Sequence, residues 1–185
     1  MLETERLLLT NWDERDASEF LRITRNPNIL PATGCPVITS LEEAQRALCD
    51  EYCAAENYKI LLKNAGVNGD GSSDAERGKS EIIIGNIGLR FGEDACSEST
   101  SEPEVGFWLD EQFQGRGYAS EALAEVLRHA QEDLHCPAVW GCHYEGNEKS
   151  ARVLERAGFV RVRVNPRGDT RLGYTLPEVE MKREF

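Results

Sequence analysis

Residues 114 to 119 read Gln-Gly-Arg-Gly-Tyr-Ala and separate a short apolar run from a long amphipathic one. The first run, residues 104–110, is aromatic and follows Pro103, which is typical of a strand buried on both faces. In the second run apolar residues recur at spacings of three and four and predict a helix; they are Ala119, Ala122, Leu123, Val126, Leu127, Ala130 and Leu134. A glycine-rich elbow therefore joins a strand to a helix.

The elbow has the composition of an anion-binding turn. Gly115 and Gly117 carry no Cβ, so a ligand can approach the unpaired N–H groups of the helix's first turn, which attract phosphates. A dinucleotide-binding fingerprint does not fit, because Ser120 stands where its third glycine would be. A P-loop at Gly78-Lys79-Ser80 does not fit either, because Ser73 replaces the required glycine and a strand-like run follows.

The remaining pattern, Gln-x-x-Gly-x-Ala after a buried strand, resembles the GNAT superfamily of acetyl-CoA-dependent N-acetyltransferases, and most of all its RimJ/RimL-type branch. The matching segments occur in family order; they are residues 5–10, 104–109, 114–123, Asn147-x-x-Ser150 and residues 157–159. Together with the pattern of elements, the resemblance implies an α/β (α+β) fold. We expect one GNAT-like domain over residues 1–185, with a central, mixed, mostly antiparallel sheet and helices on both faces.

The resemblance implies acetyl-CoA as co-substrate and an amine as acceptor. It assigns the CoA pyrophosphate to the amides of residues 115–120 and the pantetheine amides to the preceding strand. The cofactor-binding residues that it implies are Phe107, Trp108, Leu109, Gln114, Gly115, Arg116, Gly117, Tyr118, Ala119, Ser120 and Asn147. Arg116, Lys149 and Arg152 are candidates for phosphate contacts, with exposed helix charges as the competing interpretation.

The implied reaction is direct attack of a primary amine on the thioester. Amines are protonated at neutral pH, so a base, or a water chain leading to one, must take a proton. A backbone N–H in residues 107–109 is the simplest donor to the oxyanion. We favour Glu104 as the base, because it begins the strand and shares a side with Gly106 and Trp108. A solvated glutamate at a strand start is the alternative.

The departing thiolate benefits from a proton donor. Many GNAT enzymes use a tyrosine on the helix after the family asparagine, but Leu154 stands at that position here. The resemblance to the RimJ/RimL-type branch implies Ser150 instead, one helical turn earlier and on the same face as Asn147. The alternative for Ser150 is a hydroxyl that only contacts the cofactor. Asn147 is interpreted as a helix N-cap, as a pantetheine contact, or as both.

Composition limits the partners. The net charge of −12, from 33 acidic and 21 basic residues, argues against a nucleic-acid surface and mildly favours cationic acceptors, although it also fits a surface that only confers solubility. No apolar run approaches the roughly 20 residues of a membrane helix, and the first residues lack the features of a signal peptide, so a cytoplasmic location without membrane contact is expected. A homodimer stays open, because family members can pair through edge strands or helices.

The six cysteines are scattered and predict reduced thiols, mostly in packing positions. A zinc site built from His135, Cys136, Cys142 and His143 is the sharper alternative, but the spacing does not favour it. We therefore expect no metal.

The rest of the chain predicts further elements. A capping box at Ser40 and Glu43 precedes a helix, and Gly85 and Gly88 suggest a bulge within a strand. Polar stretches over 65–80 and 93–102 predict exposed loops. The other predicted elements are strands over 6–10, 58–63, 81–91, 137–144 and 159–164, helices over 16–24 and 148–157, and a terminal strand in which Val179 and Met181 alternate with charged residues.

Two other functions stay open. Because the usual tyrosine is missing, the chain could be a catalytically silent acyl-CoA sensor. It could also be an assembly module on a ribosome or another partner, with a merely structural cofactor.

Overall fold

A computed structural model of the chain describes residues 1–63, 82–92, 95–96 and 99–185. The four α-helices in these ranges are α1 (Ala17–Thr24), α2 (Leu41–Ala47), α3 (Tyr118–Glu132) and α4 (Glu148–Arg156). The strands in the same ranges are β1 (Leu2–Glu3), β2 (Leu7–Asn11), β3 (Asn57–Leu62), β4 (Ile82–Arg90), β5 (Glu104–Leu109), β6 (Ala138–Tyr144), β7 (Val160–Gly168) and β8 (Leu176–Glu184). The predicted loop over 65–80, the strand start at Glu81 and part of the stretch 93–102 lie outside the described residues.

The strands form one sheet in the order β1-β2-β3-β4-β5-β6-β8-β7. Every neighbouring pair is antiparallel except β5 and β6, which are parallel. These two strands pair only where Glu104 meets Trp140 and Val105 meets Gly141, so residues 106–109 have no strand partner on the β6 side. The predicted mixed, mostly antiparallel sheet is confirmed, and it contains a cleft where β5 and β6 diverge.

Each face of the sheet has its own core. One core lies under α3 and α4 and includes the apolar stripe of α3. The other lies under α1 and α2 and contains Trp12, Phe20 and Trp108. In this second core Phe20 and Tyr52 meet edge to face, with ring centroids 4.7 Å apart. The expected arrangement of helices on both faces is therefore confirmed.

Local sequence signals fall where they were predicted. Ser40 and Glu43 form a reciprocal capping box at the start of α2, and this helix continues as a π-helical turn over Leu48–Tyr52. The register between β3 and β4 shifts beside Gly85, which confirms the bulge. A Cβ at Gly85 would lie 2.4 Å from the Trp108 carbonyl oxygen, so close strand approach excludes any side chain there.

Candidate active site

The elbow between β5 and α3 depends on two glycines. A short 3-10 turn follows Asp110, whose carboxylate accepts the Gln112 N–H at 3.3 Å. Gly115 and Gly117 have φ angles of 75° and 83°, in the left-handed region that strains every residue with a Cβ. Gly117 is the N-cap residue of α3 and supplies no side chain to cap it. The backbone geometry thus explains why glycine occupies both positions.

The amides of the elbow are left without protein acceptors. The first helical bond of α3 runs from the Glu121 N–H to the Gly117 carbonyl at 3.0 Å. In the described part of the chain, no group accepts a hydrogen bond from the backbone N–H of residues 115 to 120. These donors lie at the positive end of the helix dipole. The elbow can therefore hold a diphosphate through its main chain.

A brace from the N-terminal segment holds the elbow in place. The Glu121 carboxylate accepts bonds from the Arg6 N–H at 2.9 Å, from Arg6 Nε at 2.6 Å and from the Thr4 hydroxyl at 2.5 Å. Arg6 also donates to the Arg116 carbonyl at 3.2 Å and lies 4.5 Å from the centre of the Tyr118 ring. Sequence reasoning missed this role of Arg6, because nothing in one sequence pairs it with a residue 115 positions away.

We expect Glu121→Gln to destabilise the protein by about 1–3 kcal/mol at pH 7, since charge-assisted hydrogen bonds are lost. Burial raises the pKa of Glu121, but the bonds from Thr4 and Arg6 outweigh burial and place the pKa below its ordinary value of 4.5. A lowered carboxyl pKa stabilises the fold above that ordinary value and ceases to do so as the pH falls through the lowered pKa. Urea denaturation at several pH values should show the difference from wild type at pH 7 and its disappearance in acid.

The matched control for this prediction is Glu132→Gln, at the exposed end of the same helix, where the side chain is 61% accessible. We expect a change within about 0.5 kcal/mol for it. A Glu121→Gln variant as stable as this control at pH 7 would contradict the brace.

A polar bridge crosses the cleft between β5 and β6. Gln114 Nε2 donates to the Leu109 carbonyl at 3.0 Å, and Lys149 Nζ donates to Gln114 Oε1 at 2.9 Å. The end of β5 is thus tied to the first turn of α4. Beside the bridge lies a cavity of about 530 Å³, whose lining includes Pro31, Ala32, Tyr144, Asn147, Arg152 and Leu176.

The backbone of β5 faces the cleft on one side. The Asp110 N–H donates to the Ile84 carbonyl of β4 at 2.8 Å, and donor direction alternates along a strand. The N–H groups of Phe107 and Leu109 therefore point toward β6, where the strand has no partner. They are placed to bond an extended chain of amides or a developing oxyanion.

The side chains of the other predicted cofactor residues vary in accessibility. Trp108 is buried in the core under α1 and α2, where its Nε1 donates to the Tyr52 hydroxyl at 3.3 Å. Ala119 and Ser120 are half-buried in the first turn of α3. Arg116 is exposed, and its guanidinium lies 5.8 Å from the Phe113 ring centre.

The start of α4 brings Asn147 and Ser150 together. Asn147 caps the helix by accepting the Ser150 N–H at 3.2 Å, and its amide donates to the Ala32 carbonyl at 3.2 Å. The N-cap interpretation of Asn147 is confirmed. Leu154, one turn later, is only 1% exposed and packs against Gly141 and the main core, so the position of the family tyrosine is structural here.

On the face of the sheet toward α1 and α2, Glu104 is buried at the base of the cleft. Its carboxylate is paired with the Arg90 guanidinium and also accepts the Cys96 N–H at 2.9 Å. Glu180, also buried, accepts a bond from Arg163 Nε at 2.6 Å. Both carboxylates therefore have cationic partners.

A third carboxylate on this face is Glu178. It lies opposite Tyr144 in the pairing of β6 and β8 and is half-buried. Burial, followed by repulsion from Glu104 and Glu180, raises the pKa of Glu178 to about 7. Sequence reasoning missed this residue, because the alternation around Val179 and Met181 predicts a strand but not burial of its charged side.

Cysteine positions differ in part from expectation. All six are free, but only Cys136 is buried, and Cys49 and Cys53 are exposed rather than in packing positions. The predicted alternative with His135, Cys136, Cys142 and His143 is not brought together within the described ranges. Instead, Cys96, Glu104 and Cys142 place ligand atoms within 4.8 Å of one another. We assign no metal to them, because Arg90 already compensates Glu104 and the pKa of the Cys142 thiol is raised.

Comparison with known families decides the interpretation of this geometry. A family model described as "Acetyltransferase (GNAT) domain" matches residues 6–160. The chain belongs to the GNAT acetyltransferase family. The acetyltransferase is 39% identical over 57 residues to the putative ribosomal N-acetyltransferase YdaF of Bacillus subtilis, a stretch that covers 31% of each protein. It is 40% identical over 58 residues to the ribosomal-protein-serine acetyltransferase of Escherichia coli, covering 31% of this chain and 32% of that protein.

Solved structures agree with the family. A GNAT acetyltransferase from Bacillus anthracis superimposes with a TM-score of 0.77 at 17% identity, over 99% of the acetyltransferase and 97% of that chain. RimL, a ribosomal L7/L12 alpha-N-protein acetyltransferase solved with coenzyme A, has a TM-score of 0.73 at 17% identity, over 98% and 96% of the two chains. Together with the ribosomal-protein relatives, these matches confirm the predicted RimJ/RimL-type branch. Within the described ranges, no helix combines the length and apolarity needed to cross a bilayer.

Proposed function

We propose that this acetyltransferase moves an acetyl group from acetyl-CoA to a primary amine by direct attack in a ternary complex. The observation that carries the proposal is the set of acceptor-free amides at residues 115–120, at the mouth of the cleft between β5 and β6. These donors fit the pyrophosphate, and the cleft-facing amides of β5 fit the pantetheine. Lys149 and Arg152 beside the cavity add positive charge.

Roles for the reacting groups follow from their positions. The N–H of Phe107 or Leu109 would stabilise the tetrahedral oxyanion. Ser150 would protonate the departing thiolate, since it lies in the first turn of α4 next to Lys149, which lines the cavity. Glu104 stays a prediction for the base: it lies on the expected side of β5, but its carboxylate is already engaged by Arg90 and by the Cys96 N–H.

For the acceptor we propose a protein N-terminus or a small-molecule amine. Relatives are named for both: the Escherichia coli relative acts on a ribosomal protein, and a Bacillus subtilis relative is a spermine/spermidine N(1)-acetyltransferase. The net charge of −12 supports a cationic acceptor by long-range attraction.

The test is acetyl-CoA-dependent release of free thiol with three amine probes: a peptide with a free N-terminal serine, Nα-acetyl-lysine amide and spermidine. We expect turnover with at least one of them. Ser150→Ala should lower kcat roughly ten- to a thousandfold with little change in the KM for acetyl-CoA, since a proton donor acts in the transition state. Ser150→Thr, which keeps the hydroxyl, should retain much of the rate. Equal rates for wild type and Ser150→Ala would refute the donor role.

A catalytically silent acyl-CoA sensor is the second candidate, and the burial of Leu154 at the family's tyrosine position favours it. Tight acetyl-CoA binding by calorimetry without thiol release from any of the three amines would establish the sensor over the enzyme.

A further inference from the structure

The carboxylates on the face of the sheet toward α1 and α2 do not all have a cationic partner among the described residues. Glu104 and Glu180 are each held by an arginine, Arg90 and Arg163. Glu178 lies on the same face, but no described residue donates a hydrogen bond to its carboxylate or forms an ion pair with it. Within the described residues, one carboxylate of this face therefore has no ion-pair partner.

The position of Glu178 connects this charge to the cavity. Its cross-strand partner Tyr144 lines the cavity, and so does Leu176, two residues away on the same strand. Gly168 makes room on the other side, because a Cβ there would lie 2.5 Å from the Glu178 Cβ and 3.2 Å from its Oε2. Asn147, which caps α4 next to Ser150, lines the same cavity. Glu178 and the proposed proton donor Ser150 thus each lie within two residues of a residue that lines this cavity, Leu176 for Glu178 and Lys149 for Ser150.

We propose that Glu178, rather than Glu104, binds the ammonium group of the acceptor and accepts its proton. The proposal rests on the acetyl transfer proposed above and makes the acceptor an amine that arrives as a cation. Glu104 stays in its ion pair with Arg90, and its negative charge raises the pKa of Glu178 by repulsion.

The protons in this step balance without any further reagent. One ammonium proton passes to a Glu178 carboxylate oxygen, which frees the nitrogen lone pair to attack the thioester carbonyl carbon. The C–N bond forms and the C–S bond breaks; the thiolate takes a proton from the Ser150 hydroxyl, which recovers the second nitrogen proton. Glu178 then releases its proton to solvent, so one proton is released for each amide formed.

The surroundings of Glu178 place its titration near neutrality. Burial is the main cause of the raised pKa of about 7, and repulsion by neighbouring carboxylates adds to it, while Arg90 acts in the opposite direction. A carboxylate with this pKa is ionised in about half of the molecules at pH 7, as suits a base that works near neutral pH. The titratable or charged groups around it are Glu104, Glu180, Arg90, Asp169, Tyr144 and Cys142.

The experiment measures kcat/KM from pH 5 to 9 for wild type, Glu178→Gln, Glu104→Gln and Glu184→Gln, with whichever of the three amine probes gives the highest wild-type rate. Glu184 is the matched control, an exposed glutamate on the same strand. For wild type we expect a rising limb with an apparent pKa near 7. For Glu178→Gln we expect a roughly 10²- to 10⁴-fold loss at pH 7 and no such limb, with the Kd for acetyl-CoA unchanged.

Each outcome decides the proposal. The role of Glu178 is overturned if Glu178→Gln keeps the wild-type pH profile. It is also overturned if the rising limb of the profile is lost in Glu104→Gln but kept in Glu178→Gln. Either result leaves the proposed acetyl-transfer activity intact. No thiol release by wild type with any probe overturns both. Urea denaturation checks the pKa separately: a raised carboxyl pKa lowers stability as pH rises from about 4.5 to 7, so Glu178→Gln should be the more stable protein above pH 7 and lose that advantage in acid.

Discussion

Replacing Gly117 by valine is expected to weaken acetyl-CoA binding by about a hundredfold or more. Gly117 has φ of 83°, a conformation that costs an L residue about 1–2 kcal/mol and a β-branched one more. Valine would leave this region and rotate the amides of residues 115–120 away from their common target. Each charge-assisted hydrogen bond lost corresponds to about 1.5–3 kcal/mol, or roughly 10- to 100-fold in Kd.

Calorimetric titration with acetyl-CoA measures this effect. Gly173→Val is the matched control, because Gly173 has φ of 85° and, as a Cβ there would meet nothing within 4 Å, the substitution brings strain alone. We expect the control to lose stability but keep its Kd. If Gly117→Val binds acetyl-CoA as tightly as the control, the elbow does not hold the pyrophosphate.

Leu154→Ala is expected to lower the free energy of unfolding by about 2–5 kcal/mol. The side chain is 1% exposed and fills the space left by Gly141, where a Cβ would approach Leu154 Cδ2 to 2.8 Å. Alanine would leave a cavity between α4 and β6, next to Phe159. Because α4 also presents Asn147 and Ser150, the rate of acetyl transfer should fall as well.

Urea denaturation gives the stability of each variant from its midpoint at constant m-value. Leu41→Ala, the same substitution at a leucine that is 45% exposed, should change stability by about 0.5 kcal/mol or less. Leu154→Met, which keeps the volume, should lose less than about 1.5 kcal/mol. A loss in Leu154→Ala no larger than in Leu41→Ala would mean that α4 packs differently from the arrangement described.

Much of the architecture was predictable, because its signals are local. The stripe of α3, the capping box at Ser40 and the alternation of β8 each lie within one element, and the elements formed within a few residues of the predicted bounds. The helix of α3 ends at Glu132, before the predicted last stripe residue Leu134, which still packs against the core from the following turn.

Catalytic geometry was less accessible from the chain. Ser150 was named by resemblance to a family and Glu104 from its place at the start of a strand, but the arginine partner of Glu104 was not predicted, and Glu178 carried no signal at all. A glutamate on a predicted strand can face solvent or a cleft, and only its neighbours from other strands distinguish the two. Arg6 was invisible for the same reason.

Sequence alone determined the glycine elbow, its place between a strand and a helix, and the family, because positive φ angles and helical periodicity depend on the residues themselves. The tertiary structure decided where β5 and β6 diverge. It also decided that Glu104 and Glu180 form ion pairs with arginines, whereas Glu178 forms none with the described residues. These features arise from side chains that meet across the sheet, so the balance of burial and charge that sets their chemistry exists only after the chain has folded.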